Sequence, residues 1–261
     1  MRQYIVDAFT DQVFRGNPAG VCVLEAWPQK ELMRQIAMEN NLSETAFAVK
    51  EGEEYGLRWF TPAGEIDFCG HATLAASSVI FRFYEPEAER LVFHAQIGEL
   101  RVSRQGKLYV MDFPAYAYRP VEVTEEMERA VGVRPREAYL ARDLLLVLDS
   151  EEEVRALRPD LALLPGLPGV CTAVTARGRD YDCVSRVFVP ELGVPEDPVT
   201  GSTHCMIVPY WANILGKTQI TAFQASARGG VLYTEYCGDR VRIAGKTAVY
   251  AASEILTEGI L

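Results

Sequence analysis

The chain has 261 residues, 49% of them hydrophobic, which is enough to bury one large core or two modest ones. Its 36 acidic and 26 basic residues leave a formal charge of −10, a field that repels phosphate backbones and anionic lipid surfaces. A disordered or fibrous chain is excluded, and nucleic acid and membrane are poor partners.

The segment Met1 to Asp7 has no long apolar stretch and no small-residue cleavage site, and no run approaches the roughly 18 to 20 apolar residues needed to cross a bilayer, so a cytoplasmic protein is expected. Gly16-Asn17-Pro18 reads as a turn. Residues 29–38 place Leu32, Met33 and Ile36 at helical spacing, which predicts an outer amphipathic helix. Thr45 to Val49 is an apolar strand. Ala72 to Phe81 is a helix poor in charge, and a hairpin over 100–113 turns at Gly106. Proline and charge thicken between Pro114 and Pro135, which divides the chain into halves at 1–117 and 118–261. The second half then offers a short helix at 151–157, a strand at 171–175, a charge-poor helix at 203–212 that Pro209 should kink, and a hairpin turning at Gly238-Asp239. Six cysteines are scattered without a C-x-x-C pair and read as free thiols.

The halves repeat each other. Arg58-Trp59-Phe60-Thr61-Pro62 matches Arg186-Val187-Phe188-Val189-Pro190 at an offset of 128, and Cys69-Gly70 matches Thr200-Gly201 at 131. Gly98 and Gly106 then match Gly230 and Gly238 at 132. Collinear matches at a nearly constant offset indicate a duplicated unit. A helix that is apolar or small on nearly every face has to be buried all round, so each half is expected to be an α+β unit in which a strand barrel wraps a central helix.

In both halves a strand ends, a glycine allows close backbone approach, and the buried helix starts, at Gly70-His71 and at Gly201-Ser202. Helix N-termini present unpaired N–H groups that attract an anion by roughly 0.3 to 1 kcal/mol, so two such ends suit a carboxylate or a developing enolate oxygen. Ser202 also reads as a simple N-cap.

The segments Gly16-Asn17-Pro18-Ala19-Gly20-Val21, Asn41-Leu42-Ser43-Glu44-Thr45, Asp67-Phe68-Cys69-Gly70-His71-Ala72-Thr73 and Glu196-Asp197-Pro198-Val199-Thr200-Gly201-Ser202 resemble, in order and spacing, the signature stretches of PhzF-like isomerases. The resemblance covers essentially the whole chain. It implies the diaminopimelate epimerase architecture, with the active site in a cleft between two pseudo-symmetric halves. By motif position it makes Glu44 the proton-shuttling carboxylate and His71 and Asp197 its acid/base support. Asn17, Ser43, Gly70, Gly201 and Ser202 become substrate-contacting positions. It also implies a homodimer, a small carboxylate-bearing metabolite as substrate and no cofactor. Physically, a carboxylate leading into the apolar strand Thr45 to Val49 is partly desolvated, as a general base requires.

Two rival readings remain at this level. Cys69, His71, His204 and Cys205 are four zinc-ligand types, although their different distances from the paired glycines argue against convergence. A binding protein that keeps an anion-gripping site without chemistry is the other. No G-x-G-x-x-G follows a strand and no G-x-x-x-x-G-K-[ST] is present. Two-thiol racemase chemistry is not expected, because the duplication sets Thr200 opposite Cys69 and a hydroxyl is a far weaker acid than a thiol.

Overall fold

The computed structural model describes residues 1–256 and divides into two compact units, one built from 1–112 together with 244–256, the other from Phe113–Ile243. The first unit opens with strands β1 (Arg2–Ala8) and β2 (Asn17–Leu24), helix α1 (Lys30–Asn40), strands β3 (Glu44–Glu51), β4 (Glu54–Thr61) and β5 (Gly64–Ile66), and helix α2 (Gly70–Phe83). Strands β6 (Arg90–Ala95), β7 (Gly98–Gln105) and β8 (Leu108–Pro114) follow, the last running into the second unit. The second unit continues with β9 (Arg119–Val121), α3 (Glu125–Val131), β10 (Glu137–Leu140), β11 (Leu144–Val147), α4 (Glu151–Ala156), β12 (Thr172–Arg177), β13 (Cys183–Val189), β14 (Val194–Asp197) and α5 (Gly201–Leu215). Strands β15 (Gln219–Gln224), β16 (Gly230–Tyr236) and β17 (Arg240–Gly245) complete it, and β18 (Thr247–Glu254) belongs to the first unit.

Strand pairing repeats from unit to unit. In the first, β1 pairs antiparallel with β2, β2 runs parallel to β3, β3 is antiparallel to β4, and β4 takes the short β5 on one stretch and the parallel β6 on another before the β6–β7–β8 meander. In the second, β10, β11, β12, β13, β14, β15 and β16 follow the same sequence of antiparallel and parallel partners. The three residues that the duplicated motif gains before Thr200 fall between Pro190 and Glu196, in the connection from β13 to β14 that opens with a 3-10 turn, Pro190–Leu192. The turn glycines stand where the sequence places them, with Gly106 and Gly238 both at positive φ.

The division differs from the expected 1–117 and 118–261 in one respect. After Ile243 the chain leaves the second unit, and β18 lies antiparallel along β1, with Arg2 opposite Glu254. A terminal strand goes where an unpaired edge is available, and β1 has one. Residues 257–261 of the expected second half lie outside the described residues.

Each central helix is buried from its first residue. In α2 every residue from Gly70 to Phe81 is buried, and the helix packs on β1, β2, β3 and β18. Hydroxyls are admitted because they bond back to the helix: Thr73 Oγ1 donates to the Cys69 carbonyl at 2.6 Å and Ser77 Oγ to that of Thr73 at 2.7 Å. In α5, Gly201 and Thr203 to Ala212 are buried, and the helix runs through Pro209 to Leu215. The outer helix α1 buries Leu32, Met33, Ile36 and Ala37 on one face, against Phe47 and Phe60.

The ion pairs that clamp the short strands are duplicated as well. Arg58 grips Glu65 through two nitrogens at 2.6 and 2.9 Å, and Arg186 grips Glu196 at 2.7 and 2.9 Å. Each guanidinium also faces an aromatic ring, Phe60 or Phe188. Hydrogen bonds from Arg58 and Lys30 outweigh burial and hold the Glu65 carboxyl down at about 2.

Gly16, with φ +63°, ends the loop before β2, where an added Cβ would sit 2.1 Å from the Ala8 carbonyl oxygen. Gly52, with φ +71°, has nothing within 4 Å of the same position. Gly52→Ala is therefore expected to cost only the left-handed backbone strain, about 1 kcal/mol, whereas Gly16→Ala adds a backbone clash and should lower the urea midpoint markedly more. Equal midpoints for the two variants would contradict the close approach at Gly16.

Candidate functional site

Three distant segments meet at one end of the first unit because β2 and β3 are parallel neighbours, with Ala19 opposite Glu44, so both strands start on the same side. Asn17 is the first residue of β2, Glu44 the first of β3, and His71 the second of α2, which packs across both strands. Before Glu44 the chain leaves α1 through Asn41, a left-handed residue at φ 47°, and turns through the half-buried Ser43.

His71 is the hub. Its Nε2 stands 3.1 Å from Glu44 Oε2, and neither atom has another hydrogen-bond partner among the described residues. On the other side of the ring, Nδ1 is 3.2 Å from the Asn17 amide nitrogen and 3.4 Å from Cys69 Sγ. An amide suits either state of the ring. It donates to Nδ1 of neutral imidazole and, turned over, accepts from imidazolium. Burial disfavours a charged ring, but the Cys69 sulfur beside Nδ1 and the Glu44 carboxylate beside Nε2 both favour the protonated form, and His71 stands well above its usual 6.5. Burial and the Glu44 carboxylate also push the Cys69 thiol up, so the sulfur keeps its proton and the carboxylate is the charge that holds the imidazolium. The Glu44 side chain is 16% exposed and that of His71 7%. The carboxylate is thus partly open to solvent while the imidazole is enclosed.

Glu44, Cys69 and His71 have ligand atoms within 4.8 Å of one another. The ring meets the carboxylate through Nε2 and the thiol through Nδ1, and one ligand atom from each of the three residues lies close enough to the others to share an ion.

In the second unit Asp197, at the end of β14, accepts the Thr200 hydroxyl. The fully buried Gln224 braces both: its Nε2 donates to the Asp197 carbonyl at 2.7 Å and its Oε1 accepts from the Thr200 amide at 2.8 Å. Gly201 is buried, and Ser202 is half-buried within the first helical turn. The capping position belongs to Thr200 rather than Ser202, as it does to Cys69 in α2, and neither side chain makes a capping hydrogen bond. The first-turn N–H groups of both helices thus have no side-chain cap, as an anion-facing end requires.

The four-ligand zinc reading does not survive at His204. This buried ring donates from Nδ1 to the Thr200 carbonyl at 2.7 Å and faces Ser185 Oγ with Nε2 at 3.5 Å. Burial pushes it down to about 4 and keeps it neutral. Cys205 Sγ turns to the Gly201 carbonyl. The sequence reading passed over Asp143, a fully buried acid whose Oδ2 accepts the Thr203 hydroxyl at 2.8 Å. The available signal was an acid set directly before the apolar run Leu144 to Leu148.

A family model described as phenazine biosynthesis-like protein matches residues 6–253. A Pseudomonas aeruginosa protein described as an uncharacterized isomerase is 52% identical to the chain, covering 96% of each. Among solved structures, a phenazine biosynthesis protein of the PhzF family from Enterococcus faecalis superposes with a TM-score of 0.96 at 48% identity over 98% of both chains. A hydroxyproline epimerase from Agrobacterium vitis shares the fold alone, with a TM-score of 0.63 at 10% identity over 99% of this chain and 96% of that one.

Two pH effects of opposite sign follow. The folded-state value of His71 lies above its unfolded 6.5, so its contribution to stability is complete below 6.5 and is lost as pH rises through the folded value. Glu44→Gln should lower the NMR titration midpoint of His71, and an unchanged midpoint would remove Glu44 as the cause. His204 has its folded value depressed to about 4, so stability should fall as pH drops from about 6.5 to 4, by about 3 kcal/mol. Urea unfolding across that window should show this loss in the parent protein and not in His204→Asn.

Proposed function

The chain belongs to the phenazine biosynthesis-like PhzF family, and on that premise we propose that it is an isomerase that moves a proton within a small carboxylate-bearing substrate without a cofactor. The observation that carries this reading is the partly exposed Glu44 carboxylate set 3.1 Å from the buried His71 ring. Glu44 removes a proton from one substrate carbon and returns it to another on the same face, while the electron pair left by the broken C–H bond shifts the double bond. The substrate's formula is unchanged. His71 holds the carboxylate in place through Nε2 and stabilises its charged form before the first transfer and after the second. The uncapped first turn at Gly70, which opens the helix that carries His71, is suited to an oxygen that gains charge as the proton leaves. Asp197 and Ser202 complete the polar groups of the second unit's site, with Asp197 fixed by Thr200 and Gln224.

Racemisation of an amino acid by two thiols is disfavoured by the same geometry. Thr200, opposite Cys69 in the duplicated frame, is a hydroxyl committed to Asp197, and Cys69 is a buried thiol that keeps its proton.

Glu44→Gln keeps the side chain's shape but cannot accept the proton, so turnover should fall roughly 10²- to 10⁴-fold with the fold intact. The readout is solvent deuterium appearing in product from a screen of carboxylate metabolites. Near-parental exchange in this variant would remove Glu44 from the proposed role. Cys69→Ala should keep most activity. Deuterium at an inverted amino-acid α-carbon, or loss of turnover in folded Cys69→Ala, would turn the assignment toward thiol chemistry.

A further inference from the structure

Cys69 is the group beside His71 that the proton transfer leaves without a task. Its Sγ is 3.4 Å from Nδ1 of the ring, and Nε2 of the same ring is 3.1 Å from Glu44 Oε2. One ligand atom from each of the three residues lies within 4.8 Å of the other two. In a tetrahedral zinc site, metal bonds of about 2.0 to 2.3 Å set the donor atoms about 3.3 to 3.6 Å apart. Closing from 4.8 Å to that spacing takes a shift of little more than about 1 Å.

Two of the three groups are held and the third can adjust. The Cys69 carbonyl accepts the Thr73 amide at 3.1 Å and the Thr73 hydroxyl at 2.6 Å, which fixes the residue to the first turn of α2, and His71 stands enclosed in that turn. Glu44 reaches the cluster on a flexible stem, and its side chain is 16% exposed. Its buried Oε2 and His71 Nε2 have no hydrogen-bond partner among the described residues, so ligation at these atoms gives up no other bond. The exposed side of Glu44 is the way in for an ion and the place for water in a fourth position, which is how three-ligand zinc sites are completed.

The duplication shows that the scaffold does not demand these residues. Thr45 lies opposite Phe60 and Thr172 opposite Phe188, two phenylalanines that match in the repeat, so Glu44 corresponds to Cys171. Cys69 and His71 correspond to Thr200 and Ser202. The second unit thus folds in the same frame with a single zinc-ligand type at the three positions. The set in the first unit also stands apart from His204 and Cys205, both of which are committed to carbonyls of their own helix end.

We infer that Glu44, Cys69 and His71 form a site for one thiophilic divalent cation of the zinc class, and that its occupancy halts the proton transfer. The second half rests on the reading of Glu44 as the proton-transferring base, since the ion ties up its carboxylate. On uptake Cys69 becomes a thiolate and the ring binds through a nitrogen that carries no proton. The displaced protons pass to water, and nothing is oxidised or reduced. A thiolate and an imidazole favour zinc over magnesium or calcium, which take oxygen ligands.

The test titrates Co²⁺, a spectroscopic stand-in for Zn²⁺, into the whole metal-free chain, kept reduced without added thiol. A thiolate-to-cobalt absorption band should appear, saturate at one equivalent and disappear when Zn²⁺ is added. Cys69→Ala should abolish the band, and Cys237→Ser, which removes the exposed thiol, should leave it unchanged. Glu44→Gln should weaken Zn²⁺, read by competition with a chelating dye, by at least the roughly 10- to 100-fold that loss of an outer partner of a metal ligand costs. If Cys69→Ala proves unfolded by circular dichroism, Glu44→Gln and Cys237→Ser carry the comparison. Three results would overturn the inference: no saturable band, a band that follows Cys237 rather than Cys69, or Zn²⁺ affinity unchanged in Glu44→Gln. Zn²⁺ should also suppress deuterium exchange into substrate, and a chelator should restore it; full exchange in the zinc-loaded protein would overturn the regulatory half. Zn²⁺ binding that depends on Cys69 and Glu44, in a protein that exchanges no deuterium into any carboxylate, would sink the proton-transfer reading and leave the metal site standing.

Discussion

The site depends on one constraint: a helix buried on every side from its first residue. Nothing in the first turn of α2 can be left to water, since Gly70 and His71 are already enclosed, and the N-cap residue Cys69 contributes no capping bond. A helix end in that condition keeps its dipole and its N–H groups aimed at whatever occupies the space ahead of it. The strands that enclose it supply the remaining groups, because parallel pairing of β2 and β3 brings Asn17 and Glu44 to the same end.

Around that end the imidazole of His71 does two things at once. It separates the carboxylate from the thiol, and it offers each a different nitrogen. The ring thereby faces two ways: toward Glu44, which is partly exposed, and toward the enclosed Asn17 and Cys69 on its far side. The second unit has no copy of this device. Its equivalent positions carry Cys171, Thr200 and Ser202, and its acids Asp143 and Asp197 come from elsewhere in the frame. Duplication has kept the scaffold and divided the labour.

That scaffold is held by repeated devices. The paired clamps of Arg58 on Glu65 and Arg186 on Glu196 fix the short strands that lead into each helix, and each stacks on an aromatic ring of the strand it leaves. Both clamps are partly enclosed, so loss of either arginine would leave a glutamate short of its partner and cost far more than an exposed pair would. No helix among the described residues is long and apolar enough to cross a membrane.

The sequence by itself determined the repeat, the two charge-poor helices and the hairpin turns, because periodicity, missing charge and glycine placement are local properties. It also marked Glu44, His71 and Asp197, since each stands beside a strand end or helix start that the motifs define. Tertiary structure alone decided which atoms face one another. That His71 meets Glu44 with one nitrogen and Asn17 and Cys69 with the other depends on a parallel strand register that no short window contains. Thr200 took the capping position from Ser202, and β18 joined β1, for the same reason: an N-cap and an open strand edge are defined by the backbone around them and not by the residues that fill them.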